Sequence, residues 1–258
     1  MSEGRAMPAP HRIARLAALT IVATIAWRRP ASSGDPMTAR LPDNIPETSI
    51  LSNGTGFFVD ASGAVVTARH VVQNCKKILV MKDRNLYPVR RAVISQNMDV
   101  SLLFPVVPGA EPAVIEADNT LHDGEPVYFL GDNDLRTSKN DRPVLFDALV
   151  ALNQAKESTE YLFQITGSAS PGYSGSPVLN TQGHVIGIIL STQKAVEKMR
   201  SGVVLRSSSS VQSVTPVAIK KLLDANKIAY QTTAPSFGAA RPNQLVAERI
   251  SVGVICIK

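Results

Sequence analysis

From about residue 50 the chain is a succession of short apolar runs: "GFFVD", "AVVTA", "KILVM", "VSLLF", "PVYFLG", "VLFDALVAL", "EYLFQI", "SPVLN" and "HVIGIIL". They are broken by Gly, Asn, Asp and Pro, and few show a helical period. Many short strands at fairly regular spacing predict an all-β sandwich or barrel. Two of the breaks read as hairpins, the Ser-Gly turn in "DASGAVV" (60–66) and the Gln-Gly turn in "NTQGHVIGI" (180–188). One helix is expected late in the chain, with Thr215 as cap, Pro216 in the first turn and a stripe of Ile219, Leu222 and Leu223 ending near Asn226. Segments 132–142 and 192–210 read as surface loops and 231–245 as a linker or flexible tail. Beyond them "ISVGVICIK" (250–258) alternates as a strand would.

The formal net charge of +6 is concentrated at the start, where Arg5, Arg12, Arg15, Arg28 and Arg29 face only Glu3 and Asp35. The rest of the chain is mildly basic and has no long Lys/Arg run. With aromatic residues at 5%, nothing in it resembles a stacking platform or a phosphate-tracking groove, so nucleic acid is not an expected partner. The N-terminal arginines precede "LAALTIVATIAW" (16–27), an apolar run of signal-peptide length without a polar face. Residues 1–36 are therefore expected to be an export signal or membrane anchor. The weak cleavage site at Thr24-Ile25-Ala26 leaves an uncleaved tether through residues 13–27 open, and either case puts the body of the protein outside the cytoplasm, periplasmic or secreted. Two cysteines, Cys75 and Cys256, supply neither a disulfide framework nor zinc-ligand spacing; a single bridge between them is open in an oxidising compartment. No metal or other cofactor is implied.

The stretch "SASPGYSGSPVLN" (168–180) sets Ser174 between Gly172 and Gly175, and acyl transfer at such a serine needs a base and an orienting acid. Of four histidines, His11 lies in the export segment, and His122 and His184 sit in polar turns of the kind that carry solvated histidines. His70 follows the strand "AVVTA", where the chain leaves the sheet. Asp99 precedes the buried run "VSLLF", where a carboxylate is costly without a partner, and an imidazole N–H is a suitable one. His70, Asp99 and Ser174 thus form a candidate base, orienting acid and nucleophile. Their order excludes the α/β-hydrolase arrangement. The glycines allow the N–H groups of Gly172 and Ser174 to aim into one hollow that would hold an oxyanion.

The blocks "GTGFFVDASGAVVTARHVV" (54–72), "NMDVSLL" (97–103) and "SPGYSGSPVLNTQGHVIGI" (170–188) resemble the three catalytic blocks of trypsin-like serine peptidases. They are most similar to the bacterial HtrA/Deg proteases and the glutamyl endopeptidases, over roughly residues 50–225. The resemblance implies two six-stranded antiparallel β-barrels, about 45–112 and 113–226; the expected helix closes the second, and 227–258 is expected to be a tail, about thirty residues being too few for the PDZ domain that HtrA proteases carry. It also implies a serine endopeptidase acting on polypeptides. Arg69, Tyr173 and Ser176 depart from the family pattern without removing a triad group.

An inactive relative that keeps the cleft and binds peptides is the alternative, and a structural all-β domain with chance motifs is a third reading. The expected specificity pocket involves Ser168, where enzymes of basic specificity carry an aspartate, and Ile189, where glutamyl endopeptidases place a histidine. Neither supplies charge, so an apolar pocket for small or medium aliphatic residues is expected. Leu190, Ser191 and Thr192 would pair their backbone with an extended or unfolded substrate.

Overall fold

The structure, a computed structural model, describes residues 49–117, 120–132, 135, 145–152, 160–198, 204–233 and 244–258, all within one compact unit, Thr38–Lys258. The export segment expected over 1–36 and the tether over 13–27 lie outside the described residues.

The first apolar runs become β1 (Ile50–Phe58), β2 (Val65–Thr67), β3 (Lys77–Lys82), β4 (Asn85–Pro88), β5 (Arg91–Ile94) and β6 (Ser101–Phe104). A single turn of helix, α1 (Arg69–Val72), follows β2. The hairpin expected at 60–66 forms because Asp60 shapes its own turn: its carboxylate accepts the Ala64 N–H at 2.9 Å and the Ser62 hydroxyl at 2.8 Å. The second set comprises β7 (Val114–Glu116), β8 (Pro126–Phe129), β9 (Phe146–Leu149), β10 (Leu162–Thr166), β11 (Pro177–Leu179), β12 (Val185–Lys198), β13 (Val204–Val214) and β14 (Gln231–Thr233). Its backbone order is β10-β13-β12-β11-β8-β9, with β7 joined in parallel to β12 and to β14. The two sheets are the curled antiparallel halves of a double β-barrel.

Helix α2 (Pro216–Ala225) starts after Thr215 as expected, and buries Ala218, Ile219, Leu222 and Leu223. Thr215 does not cap it with its side chain; the hydroxyl instead donates to the Glu160 carbonyl at 2.7 Å, tying the helix entry to the loop before β10.

Three expectations are corrected. Most of 192–210 is ladder, because β12 and β13 pair antiparallel from Ile188↔Val214 out to Lys198↔Val204. A ladder needs backbone N–H and C=O groups, so a run of serines can pair without an apolar signature. The linker expected over 231–245 begins in β14 and ends in α3 (Gln244–Ile250), with 234–243 outside the described residues. The tail expected over 227–258 ends in β15 (Ser251–Ile257), which lies inside the first sheet, between β3 and β1, in the order β4-β3-β15-β1-β2-β6-β5. The first barrel is thus completed by the last residues of the chain. Lys82 fastens this join: its ammonium donates to the carbonyls of Glu248, Arg249 and Ser251, at 2.6, 2.9 and 3.2 Å. Cys256 of β15 forms a disulfide with Cys75, with Cα atoms 5.3 Å apart.

The core has two main parts. Phe57, Phe58, Val66, Leu102 and Leu103 of the first sheet share one cluster with Leu179, Ile188 and Val214 of the second and with Ile219 and Leu223 of α2. Phe163, Ile165, Val178, Ile186, Ile189 and Val211 fill the second barrel. Because β12 contributes to both clusters it is buried on two faces, which is why "HVIGIIL" reads as a continuous apolar run.

Candidate active site

His70 is presented by α1, directly after β2, and its side chain is 42% exposed at the surface. Its Nδ1 lies 2.8 Å from Asp99 Oδ2, and its backbone N–H donates to Asp99 Oδ1 at 3.0 Å. One carboxylate thereby fixes both the ring and the peptide that carries it, and with Nδ1 engaged, Nε2 is the ring nitrogen without a partner among the described residues. Burial pushes the Asp99 carboxyl up. The His70 ring, its charge, its backbone N–H and the nearby Arg69 guanidinium together outweigh burial and hold the carboxyl below the usual carboxylate range.

Arg69, a departure from the family pattern, has a positioning role that the sequence left unread. Its Nη1 donates to the Gln96 carbonyl at 3.1 Å and to that of Ser95 at 3.4 Å, gripping the turn that presents Asp99. That turn is closed by Ser95, whose hydroxyl accepts the Met98 N–H and whose own N–H donates to Val100.

Ser174 stands in a tight turn between two glycines that the backbone requires. Gly172 and Gly175 have φ of +97° and +89°, in the left-handed region. A side chain on Gly175 would also overlap the Thr55 carbonyl and come within 2.5 Å of Thr67 Oγ1. Gly54 of β1 passes so close that a Cβ there would lie 2.7 Å from both the Ser174 carbonyl and Val71 Cγ2. The Ser174 carbonyl and Val71 of α1, the turn that carries His70, therefore both pack against Gly54.

The Ser174 hydroxyl itself donates to the Leu190 carbonyl at 2.8 Å. Among the described residues, neither the Gly172 nor the Ser174 N–H donates to another backbone group, while the neighbouring N–H groups of Tyr173, Gly175 and Ser176 are all engaged.

The two remaining departures are packing choices. Tyr173 is buried, with Phe129 and Phe146 edge-on at ring distances of 5.7 and 5.4 Å, and its ring lies against the bare Cα of Gly131. Ser176 is buried and its hydroxyl has no partner among the described residues.

Around the site, Thr192 Oγ1 bonds both the N–H and the carbonyl of Ala169 at 2.7 Å, fastening the loop that carries the exposed Ser168 to β12. Ile189 is corrected: it is fully buried in the core of the second barrel and presents no surface to a bound side chain. Leu190 sits at a register break between Ile189↔Ser213 and Ser191↔Gln212. Strand β11 pairs with β12 only as far as Ile188, so beyond it the edge at 190–192 has no strand neighbour on that side among the described residues.

His184 also differs from expectation. Its Nδ1 lies 3.2 Å from Glu116 Oε2, both side chains are largely buried, and Asn180 Nδ2 donates to the same oxygen at 2.9 Å. This second His–carboxylate pair fastens the 180–184 turn to β7. His122 occupies an exposed turn, as expected.

Two curled β-sheets, one carrying a His–Asp pair and the other a Gly-x-Ser-Gly turn, are the arrangement of the double-barrel serine peptidase class. The chain belongs to the trypsin-like peptidase domain family, whose profile matches residues 54–188. It is similar to the mitochondrial serine protease HTRA2 of Drosophila pseudoobscura pseudoobscura, 28% identical over 163 residues, covering 60% of this chain and 35% of that protein. A probable periplasmic serine endoprotease, DegP-like, of Ectopseudomonas mendocina (strain ymp) is 29% identical over 140 residues, covering 53% and 29%. An uncharacterized protein of Sinorhizobium fredii (strain NBRC 101917 / NGR234) is 26% identical over 170 residues, covering 65% and 26%. This chain spans about a third or less of these relatives' length. Among solved structures, the HtrA-type protease AlgW with decapeptide superposes with a TM-score of 0.50 at 15% identity, over 67% of this chain and 50% of that one, a likeness of fold.

Proposed function

We propose that the chain is an active serine endopeptidase in which His70 is general base and then acid, Asp99 orients it, and Ser174 is the nucleophile. The observation that carries this reading is the double hold of Asp99 on His70, at Nδ1 and at the backbone N–H. In the reaction, Ser174 Oγ bonds to the peptide carbonyl carbon while its proton passes to His70 Nε2. The oxyanion that forms is received by the N–H groups of Gly172 and Ser174. Collapse breaks the C–N bond, the proton moves from Nε2 to the leaving amine, and water then repeats the sequence on the acyl-enzyme. Asp99 stays ionised and stabilises the imidazolium.

Extended polypeptides are the proposed substrates. The unpaired edge at 190–192 suits an added antiparallel strand, which reads backbone more than sequence. Ser168 brings no charge to the pocket, which supports cleavage after small or medium aliphatic residues. We place the protein outside the cytoplasm on the arginine-flanked apolar run, the Cys75–Cys256 bridge and the DegP-like relative, probable periplasmic by its name. Among the described residues no helix is long and apolar enough to cross a membrane.

The second reading, an inactive peptide-binding relative, is favoured by one observation: the Ser174 hydroxyl is bonded to Leu190. A fluorophosphonate probe separates the two. An active peptidase labels at Ser174, loses the label in Ser174→Ala and hydrolyses casein. An unlabelled, folded protein that still binds peptides would establish the second reading instead.

A further inference from the structure

Thr55 is a fully buried threonine in β1, set between two glycines in "NGTGFF". A threonine in a strand is an ordinary choice, but each of its polar groups here leads toward the site. Its hydroxyl donates to the Gly172 carbonyl at 2.7 Å. Its N–H donates to the Ser174 carbonyl at 2.8 Å. Its own carbonyl accepts the Thr67 hydroxyl at 2.6 Å, and Thr67 ends β2 immediately ahead of the turn that presents His70.

The bonds holding Tyr173, Gly175 and Ser176 come from within the second barrel: Tyr173 N–H to Ser170, Gly175 N–H to Ile189 and Ser176 N–H to Tyr173. Among the described residues, Thr55 alone reaches across the gap to the carbonyls of both residues whose N–H groups are proposed to receive the oxyanion; the Asp132 N–H adds a longer bond, 3.3 Å, to Gly172. The flanking residues make the approach possible. Gly54 leaves room for the Ser174 carbonyl, Gly56 leaves room for Val65, and Gly175 lies over the Thr55 carbonyl.

We propose that Thr55 is a positioning residue for catalysis: it sets the orientation of the Gly172 and Ser174 peptides from the first barrel and, through Thr67, ties them to the strand that delivers His70. A threonine suits this task because branching at Cβ restricts χ1, and a desolvated hydroxyl is costly unless it keeps its acceptor. Thr55 touches no reacting atom, and its effect on rate passes through the two N–H donors.

The proposal rests on the endopeptidase reading for its kinetic arm only. Thr55→Val keeps the branched shape and removes the hydroxyl. Losing a whole oxyanion donor costs about 10²–10³ in kcat, so loosening two of them should lower kcat roughly 10- to 100-fold with KM changed less than about threefold. Thr55→Ser, which retains the donor, should recover most of the rate. The second arm is hydrogen exchange followed by mass spectrometry on the full chain. In Thr55→Val the peptides covering 168–176 should exchange faster while those of β3 and β13 keep their protection.

Local loosening with a kcat loss and rescue by serine supports the proposal. Local loosening in a protein that no fluorophosphonate labels supports the clamp while removing the peptidase reading. Unchanged exchange over 168–176, or an unchanged kcat in a labelled enzyme, overturns it. A variant loosened everywhere, with Thr55→Ser no better, would show Thr55 to be a folding residue and would also overturn it.

Discussion

Ser174 Oγ donates to the carbonyl oxygen of Leu190 at 2.8 Å, and Leu190 can offer that oxygen because it sits at a register break in β12. In the proposed mechanism the same carbonyl belongs to the edge that receives substrate backbone, so an incoming N–H competes with the serine for it. A substrate that wins this competition frees the hydroxyl to turn toward His70. Methylating the backbone nitrogen of the residue before the scissile bond should therefore reduce kcat/KM at least about tenfold, the size of one lost hydrogen bond. Paired peptides differing only in that methyl group, measured under steady-state conditions, make the test. Equal rates would show that Leu190 does not receive the substrate there.

The Asp99 carboxylate supplies a pH dependence whose sign is fixed. Its folded value is held low, so the stability it contributes is complete above the ordinary carboxylate value of about 3.9 and is lost as pH falls through its lower folded value. Asp99→Asn cannot titrate at that position. Urea midpoints of the two proteins should differ at pH 7 and converge below about pH 4. A gap constant from pH 7 to 2.5 would mean that the His70–Asp99 pair does not contribute to stability. The same variant should lose roughly 10⁴-fold in kcat, because an amide no longer enforces the productive tautomer.

Gly175 and Gly109 allow steric overlap to be separated from backbone strain. Both have positive φ, +89° and +68°, but a Cβ on Gly109 meets nothing within 4 Å, whereas one on Gly175 strikes Thr55. Gly109→Ala should cost only the left-handed conformation, about 1–2 kcal/mol, and leave fluorophosphonate labelling intact. Gly175→Ala should cost more in thermal stability and slow labelling at least about tenfold, since either the turn or β1 must move. Equal stability losses in the two variants, with normal labelling in both, would show that the contact between barrels is compliant.

What was legible in the sequence was local. His70, Asp99 and Ser174 could be singled out because each lies beside an apolar run whose burial makes its chemistry conspicuous, and the 60–66 and 180–188 turns carry their own glycine signals. Thr55 was not legible, since its partners Gly172 and Ser174 lie more than a hundred residues away and a threonine in a strand attracts no notice. His184 reads as a solvated turn residue until Glu116, distant in sequence, is folded against it. Arg69 could be noticed as a departure, but its hold on the Asp99 turn depends on backbone carbonyls, which leave no mark in a sequence. The arm formed by β12 and β13 was hidden for a related reason, its pairing being carried by the backbone of serines. Ile189 stands where glutamyl endopeptidases place their pocket histidine, yet the core of the second barrel claims it.

The Cys75–Cys256 bridge joins the turn after α1 to the strand that completes the first barrel, across a sequence separation of 181 residues. β15 inserts between β3 and β1, strands far from it in sequence, so in the unfolded protein its pairing carries the full closure cost of a long loop. A cross-link removes much of that cost from the unfolded state, typically about 2–4 kcal/mol. Its other anchor lies close to His70: α1 ends at Val72, and Cys75 follows after the positive-φ residue Asn74. Replacing both cysteines by alanine should therefore lower the thermal midpoint by several degrees. It should also raise hydrogen exchange in β15 and in 69–76 more than in β10–β13, because only the first barrel loses its fastening. Adding a reductant to the wild type should reproduce the shift and leave the double variant unchanged. If the double variant melts with the wild type, or if both barrels loosen equally, the bridge does not fasten the C-terminal strand in the way the fold indicates.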